Sequence, residues 1–337
     1  MRVAVAGAGY FARFHHEAWS RLEGVTLSAI IDPDLERAKA AQMRSGAGAH
    51  GDDLAALLDR GGIDLVDIVT PPNTHHALVE IAATRGVDVV CQKPLAPSLA
   101  AALAIVELAE RAGITLIVHE NFRFQPWYRE IRGLLKRGAI GDVLGAQFRL
   151  RPGDGRGPDA YLDRQPYFQQ MPKFLVHETL IHLIDTFRYL FGEVEAVTAR
   201  LRKLNPVIAG EDAGLVILEH AAGFETIIDG NRLSSHAAAN PRLTMGELMI
   251  DGMTGVLQMN GEAAISMRQH TGPVAAHGYA WRDHGFGGDC VFALCQHVAH
   301  AKRTGGTFEN TGRDYLRNML IEEAVYQSHD EGRRIVL

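Results

Sequence analysis

The stretch HETLIHLID, residues 177–185, places two histidines and two acids close together. A zinc-protease helix needs HExxH, with histidines four apart on one face and the glutamate as general base. His177 and His182 are five apart, which on an α-helix splays them by about 140°, so this spacing does not make that metal site. Glu178, His182 and Asp185 do line up at i, i+4 and i+7, opposite an apolar face of Leu180, Leu183, Ile184 and Phe187. A histidine at its ordinary pKa of about 6.5 can move protons near neutral pH. Periodicity alone fits a blander reading equally well, a solvated polar stripe with a weak Glu–His pair.

A second constellation opens the chain. GAGYFA, Gly7 to Ala12, is a GxGxxA turn between a strand at residues 2–6 and a helix at 10–22. Gly7 permits the tight turn, Gly9 lets a pyrophosphate approach the backbone, and Ala12 allows close helix–strand packing. The helix start then offers free N–H groups and a positive dipole end to phosphate. VTLSAIID supplies a second strand ending at Asp32, where an acid accepts from ribose hydroxyls and repels a 2′-phosphate. That favours NAD over NADP. Asp32 also reads as the N-cap of a helix beginning at Pro33.

The elements that must position these residues alternate. Residues 63–69, 87–91 and 114–118 are apolar strands, with helical stretches at 74–85 and 98–112. Such alternation means a doubly wound parallel sheet, whose ligands lie beyond the carboxyl ends of the strands. Thr70, Pro71, Pro72, Asn73 and His75 follow one strand, and Gln92 and Lys93 follow another. These residues are expected to border the cofactor together with Gly7, Gly9, Tyr10, Phe11, Ala12 and Asp32. Asn73–Thr74 would cap the next helix. The plain reading of Lys93 is a solvated loop lysine.

The bulk properties exclude several classes. At 337 residues and a net charge of −6 the chain carries no basic excess for nucleic acid. Apolar residues at 47% suit a globular protein of two domains, set here at 1–121 and 122–337, with a C-terminal helix able to pack back on the first. Cys91, Cys290 and Cys295 form no metal-like pattern, and their odd number rules out a fully paired disulfide framework, so a reducing compartment is expected. With no signal-like leader and no span-length apolar run, a soluble cytoplasmic protein without membrane contact is expected. In the second domain strands are expected at 143–151, 194–204, 213–220, 223–230, 244–251 and 254–260. Short turns join several of them, so they pair antiparallel. Helices follow at 287–303 and 313–328.

GAGYFA, Asp32, TPPNTHH, QKP and ETLIHLID, in this order, resemble the glucose–fructose oxidoreductase / inositol dehydrogenase / MocA (Gfo/Idh/MocA) family. The resemblance extends through NFRFQP (121–126) and RGAIGDV (137–143) to YLRNMLIEEAVYQSHDEGRRIVL, nearly the whole chain. It implies an α/β fold class: an N-terminal Rossmann domain and a C-terminal α/β domain with a large open, mostly antiparallel sheet. One face of that sheet makes subunit contacts in the family, which implies a homodimer or homotetramer. The implied activity is NAD(P)-dependent oxidation or reduction of a sugar, sugar acid or cyclitol. Lys93 matches the family's EKP lysine, which hydrogen-bonds the reacting oxygen. His182 matches the histidine of D-x-x-x-H, the proton-transfer residue. Glu178 stands where that motif has Asp, so catalysis and substrate contact fall to Lys93, His182 and Glu178. Gln92 replaces the family's Glu. The chemistry needs no metal, because the nicotinamide carries the redox step. Two other readings are a glycosidase-type member with tightly held NAD and a non-catalytic cofactor sensor. The retained Lys93 and His182 speak against the sensor.

Arg123, following the interdomain crossing, is a further substrate candidate, with Arg164, Gln165 and Tyr167 behind it. The Gly/Pro-rich segment 153–168 reads as a lid or intersubunit arm. Asp185 reads as a structural partner or as a tautomer-fixing one for His182, and Asp289 as the cap of the helix that follows.

Overall fold

The computed structural model describes residues 1–337. Short runs of Val, Ile, Leu and Ala form β1 (Arg2–Ala6), β2 (Thr26–Ile31), β3 (Ala49–Gly51), β4 (Leu65–Ile68), β5 (Asp88–Gln92) and β6 (Leu116–His119). They make a parallel sheet ordered β3-β2-β1-β4-β5-β6. Val3, Val5, Ile30, Val66, Ile68, Val89 and Val90 are all buried, as strands covered on both faces require. The connections are α1 (Ala12–Arg21), α2 (Leu35–Ser45), α3 (Leu54–Asp59), α4 (His75–Ala83) and α5 (Leu99–Ala112). Strand order reverses beside β1 and β4, the switch point at which such sheets take ligands. The cap of α2 is Asp34, which accepts from the backbone N–H groups of Glu36 and Arg37; Asp32 is engaged elsewhere. No side-chain bond from Thr74 caps α4.

The chain divides into two compact units, Met1–Asn121 with Asp289–Met319, and Phe122–Gly288 with Leu320–Leu337. Residues 289–319, which the sequence reading placed in the second domain, thus count with the first. The reason is local pairing. Val118 of β6 donates to the Asn310 carbonyl at 2.8 Å, and the Asn310 amide donates to the Glu120 carbonyl at 2.8 Å. Helix α8 (Cys290–Thr304) also belongs to this unit, and its Lys302 pairs with Asp88.

The second unit holds α6 (Pro126–Lys136), a π-helical turn (Leu175–Leu180), α7 (Ile181–Phe191) and a nine-stranded sheet. Its strands are β7 (Val143–Leu150), β8 (Val194–Arg202), β9 (Ala213–His220), β10 (Glu225–Asn231), β11 (Gly246–Gly252), β12 (Gly255–Met259), β13 (Ile265–Gln269), β14 (Ala275–His277) and β15 (Ile335–Val336). The order is β14-β13-β12-β11-β7-β10-β9-β8-β15, antiparallel except between β7 and β10. Ala199, Val216, Ile228, Phe148, Leu248 and Met259 form one cross-strand row, all buried, in the same core as Trp127, Ile131, Leu183 and Phe187. Helix α9 (Gly312–Glu331) precedes β15. No helix is long and apolar enough to cross a membrane.

Candidate active site

In the first unit the glycine-rich turn is held from three sides. Gly7 has φ +118°, and a Cβ there would lie 2.2 Å from the Val69 carbonyl oxygen, so only glycine fits between β1 and β4. A Cβ on Gly9 would meet nothing within 4 Å, which leaves that approach open to a ligand. Ala12 is buried, and no side chain caps α1, whose first N–H groups stay available to an anion. The Asp32 carboxylate accepts from Ala8 N at 2.8 Å and from Asp34 N at 3.0 Å. It therefore fixes the turn from the end of β2. Residues of this kind fit a dinucleotide: an open glycine, an uncapped helix start, and an acid at the ribose position. Tyr10 is 45% exposed and Phe11 half-buried beside it.

His16 is a brace that motif reading misses. Its Nε2 lies 3.0 Å from the Gly7 carbonyl, and burial lowers its pKa to about 4, so it is a neutral donor to the turn. His75, expected beside the cofactor, is likewise occupied. Its ring nitrogens lie 2.9 Å from the carbonyls of Leu95 and Thr70. Burial lowers its pKa against the pull of both carbonyls. The ring ties the turn after β4 to the segment after β5 and is not presented to a ligand. Thr70 and Thr74 share a hydroxyl bond of 2.7 Å, and Thr74 donates to the Pro71 carbonyl at 2.8 Å. Lys93 follows β5 at a cis Lys93–Pro94 peptide, and its backbone N–H donates to Gln92 Oε1 at 2.8 Å. Cys91, Cys290 and Cys295 are free and buried, which pushes their thiols well up. Asp289 begins α8 without a capping bond; it pairs with Arg21 at 2.6 Å.

In the second unit the helix bearing His182 starts as a π turn, so an even 100° per residue does not describe it. Glu211 holds that start: its Oε1 accepts from Phe174 N and Val176 N, and from the Tyr326 hydroxyl at 2.7 Å. π turns recur at functional sites because they re-aim side chains. His177 turns aside to Glu322, 2.6 Å away. His182 is 8% exposed, and its ring stacks on Phe122 at 4.0 Å and 4°. Asp185 is fully buried and takes Arg123 in a two-pronged pair at 2.7 and 2.6 Å. The expected polar stripe is thus no solvated face. Arg123, expected at the substrate, is a structural clamp between the segment after β6 and α7.

Glu178 is half-buried, and its charge bears on Arg232 and Tyr167. Crowding at the Tyr167 hydroxyl, then the Glu178 charge, push that pKa up to about 12, although the residue is 57% exposed. Gln165 donates to the same hydroxyl at 3.1 Å. Glu178, Tyr167 and Gln165 are therefore neighbours. Arg164 is not free to join them: it pairs with Asp154 at 2.6 Å, as does the buried Arg232 at 2.9 Å. Segment 153–168 is pinned by those pairs, and Tyr161 and Phe168 pack on Phe174 and Ile208. The segment read as a lid or intersubunit arm is thus anchored at both ends, with residues 156–159 and 162–163 between the anchors exposed.

Residues 1–120 match the oxidoreductase family with an NAD-binding Rossmann fold, and residues 128–258 match the GFO/IDH/MocA C-terminal domain. Among curated proteins, a D-apiose dehydrogenase of Paraburkholderia graminis is 34% identical over 99% of this chain and 89% of its own length. An inositol 2-dehydrogenase of Saccharopolyspora erythraea is 32% identical over 68% of this chain and 66% of its own. Among solved structures, an oxidoreductase from Agrobacterium radiobacter in complex with NAD+, L-tartaric acid and magnesium superposes with a TM-score of 0.90. It is 32% identical, with 100% of this chain and 98% of that one covered.

Proposed function

The chain belongs to the Gfo/Idh/MocA family of oxidoreductases, and on that premise we propose that it oxidises a secondary alcohol of a small sugar, sugar acid or cyclitol with NAD. The observation that carries this reading is His182, a nearly buried imidazole locked flat on Phe122 while the nearby acid Asp185 is committed to Arg123. An imidazole held in this way can accept the hydroxyl proton near neutral pH. Bound NAD supplies the hydride acceptor. Lys93 is proposed to stabilise the developing negative charge on the substrate oxygen, as an ammonium does best where water is excluded. Glu178, Tyr167 and Gln165 are proposed to receive neighbouring hydroxyls. Arg123 and Arg164 are left out of the substrate set, because each is already paired.

Asp32 supports NAD over NADP, since its carboxylate is fixed at the turn and would repel a 2′-phosphate. The less buried face of the large sheet carries the row Thr198, Ile217, Ile227, Gln147, Met249 and Gln258, which would suit a homodimer or homotetramer contact. Three buried free thiols fit a reducing, cytoplasmic setting.

The test is reduction of NAD, then NADP, with D-apiose, inositols, aldoses and tartrate-like hydroxy acids. Reduction of NAD by one of these is expected. A protein that binds NAD yet oxidises none of them, and instead releases an alcohol from a glycoside, would overturn the dehydrogenase reading.

A further inference from the structure

Behind Lys93 lies a chain of hydrogen bonds whose directions are all determined. The Lys93 backbone N–H can only donate, so the amide atom it faces at 2.8 Å is the Gln92 oxygen. The Gln92 Nε2 therefore points to His15 Nε2, 3.1 Å away. An amide NH2 can only donate, so His15 Nε2 carries no proton. The proton of neutral His15 then sits on Nδ1 and is donated to Asp67 Oδ2 at 2.8 Å. The same carboxylate oxygen accepts from Trp19 Nε1 at 2.6 Å. His15 and Asp67 have no exposed side-chain surface.

Resting on the oxidoreductase reading, we propose that Gln92, His15 and Asp67 are positioning residues for Lys93, locked as a neutral relay by the amide at position 92. Residue 92 meets two opposite demands, an acceptor for the Lys93 N–H and a donor for the imidazole. An amide satisfies both. A carboxylate satisfies only the first and sets its charge against a bare nitrogen lone pair. His15 is fully buried there, with the His119 ring 4.0 Å away and His16 next in sequence. Asp67 is the acid facing it, and the thiols of Cys91 and Cys295 lie in the field of that carboxylate. The relay also joins two parts of the site. His15 and His16 leave α1 side by side, one toward Gln92 and Lys93, the other to the Gly7 carbonyl of the dinucleotide turn. Gln92, where the family has Glu, is in this view matched to His15.

The experiment pairs kinetics with a proton map. In Gln92→Glu, turnover should fall roughly tenfold or more at about pH 8, with NAD affinity held, as misplacement of a reacting group does. A neutron structure of the wild-type protein should show deuterium on His15 Nδ1 and none on Nε2. Deuterium on Nε2, or a Gln92→Glu profile superposable on wild type, would overturn the relay. Failure of the oxidoreductase reading is separable: it appears as a wild-type enzyme that reduces no NAD, whereas the neutron map still decides the tautomer.

Discussion

The rings of Phe122 and His182 lie parallel, 4° apart, with centroids 4.0 Å from each other. Phe122 stands just past the first crossing between the two units, in NFRFQP, and His182 near the start of α7. The stack holds the plane of the imidazole ring. Phe122→Leu keeps the apolar volume and loses the flat support. It should lower kcat roughly tenfold to a hundredfold, the scale for a misaligned catalytic group, with NAD affinity unchanged and Phe122→Tyr near wild type. Steady-state kinetics and cofactor titration read both; an unaltered kcat in Phe122→Leu would remove the stack from the mechanism.

Arg123 and Asp185 concern stability. Both are buried and their contact is two-pronged. Asp185→Asn or Arg123→Met leaves one buried charge without its partner, which costs roughly 3–5 kcal/mol. The double variant Arg123→Met/Asp185→Leu should recover much of that loss. Denaturant titration of the three proteins checks the order.

Cofactor choice rests on Asp32. Asp32→Ser removes the charge beside the ribose position and the bond to Ala8 N. The kcat/KM ratio of NAD to NADP should fall by about 10–100-fold, the worth of a hydrogen bond to a charged group. An unchanged ratio would mean that another residue sets the preference.

His16 sets a pH dependence. Its folded pKa is about 4, lowered by burial from 6.5, so below about pH 6.5 the unfolded chain binds a proton that the folded chain refuses. Stability is full above that value, falls as pH drops toward 4, and levels off beneath it. The loss is on the order of 3 kcal/mol at about 1.4 kcal/mol per pKa unit. His75 and His220 are lowered too and add in the same direction. His16→Gln, whose amide can still reach the Gly7 carbonyl, should show a shallower decline in denaturation midpoint from pH 6.5 to 4.

What the sequence made legible was local. GAGYFA, the strand runs around it and the hairpin turns of the second domain depend on neighbours a few residues away, and they lie where periodicity puts them. The π turn was not legible, because the carboxylate that holds it, Glu211, is 37 residues from Phe174. Arg123 looked like a substrate cation because its partner Asp185 is 62 residues on. His75 looked like a cofactor neighbour for the same kind of reason, its acceptor Leu95 being 20 residues ahead. Strands β13, β14 and β15 are short or half-exposed and give little alternation to read. His15 and Asp67 bear no motif at all; only the fold brings them together.

The most direct measurement compares His182→Ala with wild type, following NAD reduction on the best alcohol of the panel alongside NAD binding. With His182 as the proton-transfer group, turnover should fall by roughly 10²–10⁴ while the Kd for NAD holds. Equal turnover in the two proteins would contradict that role for His182.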